Sequence, residues 1–297
     1  MSEKPSLTGI MRLRFVILTP ACVLLGMATA YWESGSINWL NFILALIGAI
    51  SAHISVNAFN EYFDFKSGLD SKTERTPFSG GTGTLQALPN LVKSALFTAW
   101  MSLIITTLIG VFFLIDIGIA LLPLGALGLL IIYIYTKILT KNPFLCLVAP
   151  GLGFGTLMVI GTHFAMTGEY SWTAFIASLI PFFLVSNLLL LNQFPDVEAD
   201  KTVGRKHFPI TIGKRKSSYI YISFLILPYI AIGYGVYSGL LPAFSLLGLI
   251  TILLAIPIIK VVSQHSEDTE KLLPALTQNV AINILTPLLT AIGIFIG

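Results

Sequence analysis

Charge is the scarcest feature of this sequence. Only 10% of its 297 residues are Asp, Glu, Lys or Arg, against roughly 25% in a soluble chain. Hydrophobic residues make up 55%, and the mean hydropathy is +0.87. That excludes a water-soluble domain and points to an all-α integral membrane protein. The short alternating segments of a transmembrane barrel are also missing. Cysteine is nearly absent: Cys22 and Cys146 both lie in apolar runs at no metal-ligand spacing, so neither a disulfide framework nor a zinc site is implied. The net charge of +3 is too small to argue for nucleic acid. Lys4, Arg12 and Arg14 precede the first apolar run, but no small-x-small cleavage site follows, so that run is expected to be an uncleaved first span.

What the chain has in abundance is apolar segments. Nine are expected to span, at roughly 15–32, 39–58, 95–115, 117–136, 143–167, 170–191, 217–238, 242–260 and 273–296. Each reaches the ~17–25 residues needed to cross hydrocarbon. With nine spans, all 17 Lys and Arg fall at the N-terminus or in the loops after spans two, four, six and eight. The opposite loops hold only Glu33, Asp116 and Glu169. The positive-inside rule then puts the N-terminus in the cytoplasm and the C-terminus outside. A miscounted span would scatter those charges.

Two polar stretches interrupt this pattern, both on the predicted cytoplasmic side. Asn57, Asn60, Glu61 and Asp64 follow the second apolar run at i, i+3, i+4 and i+7, one helical face; Gly68 and Asp70 come next. After the sixth run, Asn192, Asp196 and Asp200 fall at i, i+4 and i+8, again one face if the helix persists through Pro195. Ionisable residues at a membrane helix end are costly, and their default reading is functional.

The donor set is hard. Asn60, Glu61, Asp64, Asp70, Asp196 and Asp200 offer only oxygen, with no matching His or Cys, which suits Mg²⁺ or Mn²⁺. Two facing carboxylate clusters can hold two ions that clamp one diphosphate. Interleaved with them are Lys66, Lys72 and Arg75, then Lys201, Arg205 and Lys206; Arg grips phosphate oxygens in a fork and Lys acts as a point charge. Acids for metal, bases for phosphate and a membrane for the tail suggest a lipid diphosphate. Ser79-Gly80-Gly81-Thr82-Gly83 is a second phosphate-cradling candidate, equally explained as a flexible cap. His53 and His163 are expected to pack or to bond between helices, and Arg14 to be a positive-inside anchor.

These residues resemble a known family. Asn57-x-x-Asn60-Glu61-x-x-Asp64-x-x-x-Gly68-x-Asp70 and Asp196-x-x-x-Asp200-Lys-x-x-Gly204-Arg205-Lys206, after spans two and six of nine, resemble the UbiA-type intramembrane prenyltransferases. The first motif is most similar to that of the 1,4-dihydroxy-2-naphthoate polyprenyltransferases of menaquinone synthesis. The resemblance covers nearly the whole chain, 1–297, as one domain. It implies nine helices around a central cavity open laterally to lipid, capped by cytoplasmic loops. It also implies a polyprenyl diphosphate donor held by aspartates and Mg²⁺, and a small aromatic acceptor. Asp64 and Asp196 would be catalytic through the metal, with Asn57, Asn192 and Lys137 joining the basic residues around the diphosphate. Tyr133 and Tyr135, before Thr136 and Lys137, resemble the family's Tyr-Thr element and are candidates to face an allylic cation; as interfacial belt residues they would do neither.

The sequence departs from the naphthoate pattern at Pro195, where many relatives have Arg, and at His207, where Thr is common. Another acceptor is therefore open: 4-hydroxybenzoate, a tetrapyrrole or a glycerol phosphate ether. A secondary transporter is the competing class, but its ions would sit near the midplane rather than at one face. No obligate protein partner is inferred; the surroundings are membrane lipid.

Overall fold

A computed structural model describes residues 6–73 and 80–297. Among them the secondary structure is helical throughout. We number the apolar helices α1 (Leu18–Ser34), α2 (Trp39–Ser67), α3 (Val92–Asp116), α4 (Leu122–Ile134), α5 (Pro143–Thr167), α6 (Trp172–Lys201), α7 (Lys214–Tyr237), α8 (Ile252–His265, preceded by a 3₁₀ segment Ala243–Thr251) and α9 (Thr269–Ile296). Their ends follow from local chemistry. Side chains of Asn38, Asn142, Ser171 and Asp268 cap α2, α5, α6 and α9 by accepting from backbone N–H groups of the first turn. Gly68, at φ 74, closes α2 with its N–H on the carbonyls of Asp64 and Phe65.

The helical membrane bundle is as expected, but the count of nine spans is not confirmed exactly. Among the described residues seven helices are long and apolar enough to cross a membrane, and the bent pair Leu7–Val16 with Leu18–Ser34 makes up to eight. The expected span 117–136 is instead the shorter apolar helix Ile119–Ile134. Gly118 and Pro123 cut into its start, and it ends at Tyr135 before a turn at Leu139–Lys141. The other departures lie at the motif ends. The expected spans stopped at 58 and 191, where hydropathy falls, but α2 runs to Ser67 and α6 passes through Pro195 to Lys201. A proline removes one helical hydrogen bond, which membrane helices tolerate.

The bundle is packed around α1, which touches α2, α5, α6 and α9. The main buried cluster joins α1 and α5 through α9, with Leu184, Leu191, Tyr221, Leu225, Ile258 and Leu276 fully enclosed. In lipid, apolar burial does not drive helices together, so close approach depends on small residues. Gly151 and Gly155 on α5 show this against α6. A Cβ at Gly151 would stand 2.0 Å from the Phe182 carbonyl oxygen, and one at Gly155 2.3 Å from the Phe182 nitrogen. Between them α5 widens into a π-helical turn, Leu152–Leu157, just beyond Pro150; such turns re-aim side chains and cluster at functional sites.

α3 and α4 lie at the periphery, α4 with no buried residue. Between them and α2, α5, α6 and α9 lies a cavity of about 410 Å³. It reaches from Asp64, Asp70, Asp196 and Arg205 at one end of the bundle to Phe113, Leu121 and Leu124 towards the other. Gly155→Val should force α5 off α6 and cost about 1–3 kcal/mol, read as a lowered unfolding temperature in detergent. An unchanged transition would mean that this glycine contact does not hold the bundle together.

Candidate active site

The two acid clusters occupy the polar end of the cavity because α2 and α6 outrun their apolar segments. Asn57, Asn60, Asp64 and Asp70 from the first motif and Asn192, Asp196 and Asp200 from the second all line that one space. The repeat legible in the sequence is thus a face-to-face pair in the fold.

Arg205 joins the clusters. Its guanidinium donates to Asp64 of α2 and, at 2.9 Å, to Asp200 of α6. Burial opposes the charge on Arg205, but the carboxylates of Asp64 and Asp200 outweigh it and hold the group more firmly protonated than usual. His207, also buried, places Nε2 2.9 Å from the other oxygen of Asp200. A second arginine sits on the first motif. Arg12 donates from Nε to Oε1 of Glu61 at 2.7 Å. Its backbone is left-handed at φ 51, unusual for a side-chain-bearing residue, and turns the chain between Leu7–Met11 and Leu13–Val16.

The glycine segment closes over both clusters. The Gly80 N–H donates to Oδ2 of Asp196 at 3.3 Å, and Thr82 donates to both oxygens of Glu61. Gly81, at φ 69, lies so close to Asp70 that a Cβ would meet Oδ1 at 2.9 Å. This loop therefore cradles carboxylates. Gln86 donates to Asp70 at 2.9 Å; even so, burial, then repulsion from Asp64 and Glu61, pushes the Asp70 carboxyl up to about 6.

Several expected site residues lie elsewhere. Glu61 was expected as a metal ligand, but it is fully buried, committed to Arg12 and Thr82, and absent from the cavity wall. Tyr133 is 40% exposed and packs on Phe59 and Trp100, whereas Tyr135 lines the cavity. Lys66, Lys72, Lys137, Lys201 and Lys206 are exposed and off the cavity wall. Lys137 lies 4.2 Å over the Phe63 ring, and Lys201 pairs with Glu198 at 2.7 Å. Arg75 lies outside the described residues. Sequence reasoning also missed Arg12, read only as part of a basic N-terminus, and the contact of His207 with Asp200. The expected helix-to-helix bonds of the histidines are present: His53 to Thr19 at 2.8 Å and His163 to Thr29 at 3.1 Å.

Among the described residues no three carboxylate, imidazole or thiolate groups stand close enough to cage an ion. The donor set nevertheless fits Mg²⁺. Asn60, Asp64, Asp70, Asn192, Asp196 and Asp200 share one wall, Oδ1 of Asn192 is buried without a partner, and the crowding that raises Asp70 is what a cation relieves. Mg²⁺ uses only one or two protein carboxylates when substrate phosphates and waters complete its octahedron. Replacing Glu61 separates its role from that of the cavity acids. Glu61→Gln leaves Arg12 buried without its counter-charge and should cost about 3–5 kcal/mol of stability. The thermal stabilisation by Mg²⁺ plus diphosphate should remain; its loss would return Glu61 to the ligand set.

Comparison with known proteins places this geometry. The UbiA prenyltransferase family profile matches residues 19–280. A 1,4-dihydroxy-2-naphthoate octaprenyltransferase of Bacillus subtilis (strain 168) is 31% identical over 196 residues, 65% of this chain and 61% of that protein. A protoheme IX farnesyltransferase of Cytophaga hutchinsonii is 29% identical over 64% of this chain and 63% of its own length. The chain thus matches just over three-fifths of the length of each of these relatives. Two solved structures share the fold over nearly the whole chain. A UbiA homolog from Aeropyrum pernix K1 has a TM-score of 0.73 at 16% identity, covering 96% of this chain and 98% of its own. One from Archaeoglobus fulgidus bound to DMAPP and Mg²⁺ has a TM-score of 0.63 at 15% identity, covering 98% and 99%. With the family profile spanning most of its residues and the fold shared end to end, this chain belongs to the UbiA prenyltransferase family.

Proposed function

We propose that the protein is a Mg²⁺-dependent membrane prenyltransferase that moves a polyprenyl group from its diphosphate to an aromatic acceptor, 1,4-dihydroxy-2-naphthoate, on the way to menaquinone. The observation that carries this is the polarity of one cavity. Four aspartates and Arg205 line one end, and mostly apolar side chains, with a few polar ones such as His53 and Asn283, line the rest as far as Phe113 and Leu121. Such a space suits a molecule with an anionic head and a long hydrocarbon tail. The Mg²⁺ and DMAPP bound by the Archaeoglobus homolog support the ion and the donor class. The naphthoate relative supports the acceptor. The charge asymmetry of the loops supports a cytoplasmic N-terminus and motif end, with the C-terminus outside.

Asp64, Asp70, Asp196 and Asp200, with Asn60, are the residues placed to hold two ions; when bound, these would neutralise charge building on the departing diphosphate. Arg205 is the cavity-wall cation nearest that charge, and its fork geometry suits phosphate oxygens. Asn57 and Asn192 add neutral polar contacts around the head group. The allylic C–O bond breaks with both electrons leaving on the diphosphate, an electron-rich ring carbon forms the new C–C bond, and that carbon then releases the group it carried, a proton or carbon dioxide, to restore the aromatic ring. Tyr135 offers the developing cation an aromatic face. The apolar walls keep water from capturing it.

Asp64→Asn and Asp196→Asn should each lower turnover by at least about a hundredfold in protein that still elutes as folded; full activity in either would remove the metal-clamp assignment. Chelator should abolish transfer and Mg²⁺ restore it. Purified protein in detergent, given labelled polyprenyl diphosphate, should prenylate 1,4-dihydroxy-2-naphthoate and not 4-hydroxybenzoate. The reverse preference would reassign the acceptor within the family, and no transfer from folded protein would overturn the enzyme reading.

A further inference from the structure

The motif face of α2 does not end at Asn57. His53 precedes Asn57 by four residues and Asp64 by eleven, about three turns, so it lies on the same face roughly 16 Å deeper along the helix. It lines the cavity and is 5% exposed. The Thr19 hydroxyl lies 2.8 Å from its Nδ1, and no hydrogen bond reaches Nε2 among the described residues. The edge-on ring of Phe154, aimed inward by the π turn of α5, stands 4.5 Å away.

A second polar group faces the same space from α9. Val280, Asn283 and Ile284 form its cavity face. Asn283 is 1% exposed; its Nδ2 donates to the Asn279 carbonyl at 2.9 Å, and its Oδ1 is buried with no partner. A buried carbonyl left without a donor costs free energy unless something supplies one. Asn283 lies fourteen residues from the motif end of α9 and His53 fourteen residues from that of α2, about 21 Å along each helix. Along its helix, His53 lies about three turns from Asp64. His53 and Asn283 both lie too deep to be exposed to water outside the bundle.

We propose that His53 and Asn283 form the recognition site for the acceptor, taking the hydroxyl groups of an aromatic ring that lies beside Phe154, below the diphosphate. This deepens the reading given under Proposed function and rests on it. Asn283 Oδ1 accepts from one hydroxyl. His53 Nε2 bonds a second oxygen, as donor or acceptor, since the Thr19 hydroxyl serves either tautomer. A site built around buried polar groups of this kind rejects a ring lacking the hydroxyls, because the groups would then stay unpaired.

The test compares 1,4-dihydroxynaphthalene with its dimethyl ether as acceptor, with and without the two side chains. Wild-type protein should prenylate or bind the dihydroxy compound and discriminate strongly against the ether. In Asn283→Leu and His53→Phe the KM for the dihydroxy compound should rise about tenfold to a hundredfold, the discrimination should shrink, and the KM for prenyl diphosphate should not follow. His53→Gln and Asn283→Ser, which keep a polar atom, should recover part of the preference and serve where the apolar variants do not fold. Folded variants that retain full discrimination, or that raise both KM values alike, overturn the recognition site while leaving the enzyme reading intact. Wild-type protein that transfers to no hydroxylated aromatic fails the enzyme reading itself, and the site falls with it.

Discussion

The bilayer's intolerance of unpaired charge governs this structure. Asp64, Asp70, Asp196 and Asp200 line one end of a largely apolar cavity, and Glu61 is buried on the same motif helix off its wall. Carboxylates in such surroundings need cations or hydrogen-bond donors from elsewhere in the chain. Arg205 reaches from beyond the end of α6 to Asp64 on α2 while also holding Asp200, so the two motif helices are bridged by one guanidinium. Arg12 meets Glu61 from a separate segment near the N-terminus, using a left-handed backbone to do so. The glycine loop closes the remaining gap with backbone N–H groups and the Thr82 hydroxyl. A planar, forked cation is suited to such bridging in a way that a lysine is not, which fits the finding that the described cavity-wall cations are arginines and the lysines stay outside.

Helix length turns this constraint into a working geometry. At 29 and 30 residues, α2 and α6 are about 43–45 Å long, well beyond a hydrocarbon core of about 30 Å. Their overhang carries the acids to one margin while the same faces continue downward as an apolar wall. On the proposed reading, an anionic head and a hydrocarbon tail then meet surroundings matched to each, along one continuous pair of helix faces. The bond to be broken would then lie at the join between them.

Much of this was legible in the sequence because it rests on periodicity. The spacing of Asn57, Asn60 and Asp64, and of Asn192, Asp196 and Asp200, is a helical repeat, and the structure places each set on one cavity wall. What was not legible depends on angle and on distance across the fold. Tyr133 and Tyr135 are two residues apart, so a helix points them about 200° from one another; only Tyr135 lines the cavity, and the helical rule alone excludes both doing so. Glu61 sits at the edge of the motif face, turned towards Arg12, a partner 49 positions away with no local signal. The lysines were grouped with the site because they neighbour the acids in the chain. On an overhanging helix, neighbours in sequence alternate between cavity and solvent. The shortness of α4 was hidden because hydropathy registers apolar residues without registering where Gly118 and Pro123 interrupt the helix.

The charge balance at the cavity mouth carries a last consequence. Asp64, Asp70, Asp196 and Asp200 line it with Arg205 bridging two of them, while the charge of Arg12 is already matched by Glu61. On the proposed reading, divalent cations held by these acids would offset their charge when an anionic head group enters. Burial, then repulsion from Asp64 and Glu61, raises the Asp70 carboxyl, and a neighbouring cation would counter that. With cations at the acids, Asp64 and Asp200 would depend less on Arg205. The guanidinium would then be able to turn towards phosphate oxygens. One forked cation would in this way serve both the carboxylates of the two motifs and a phosphate.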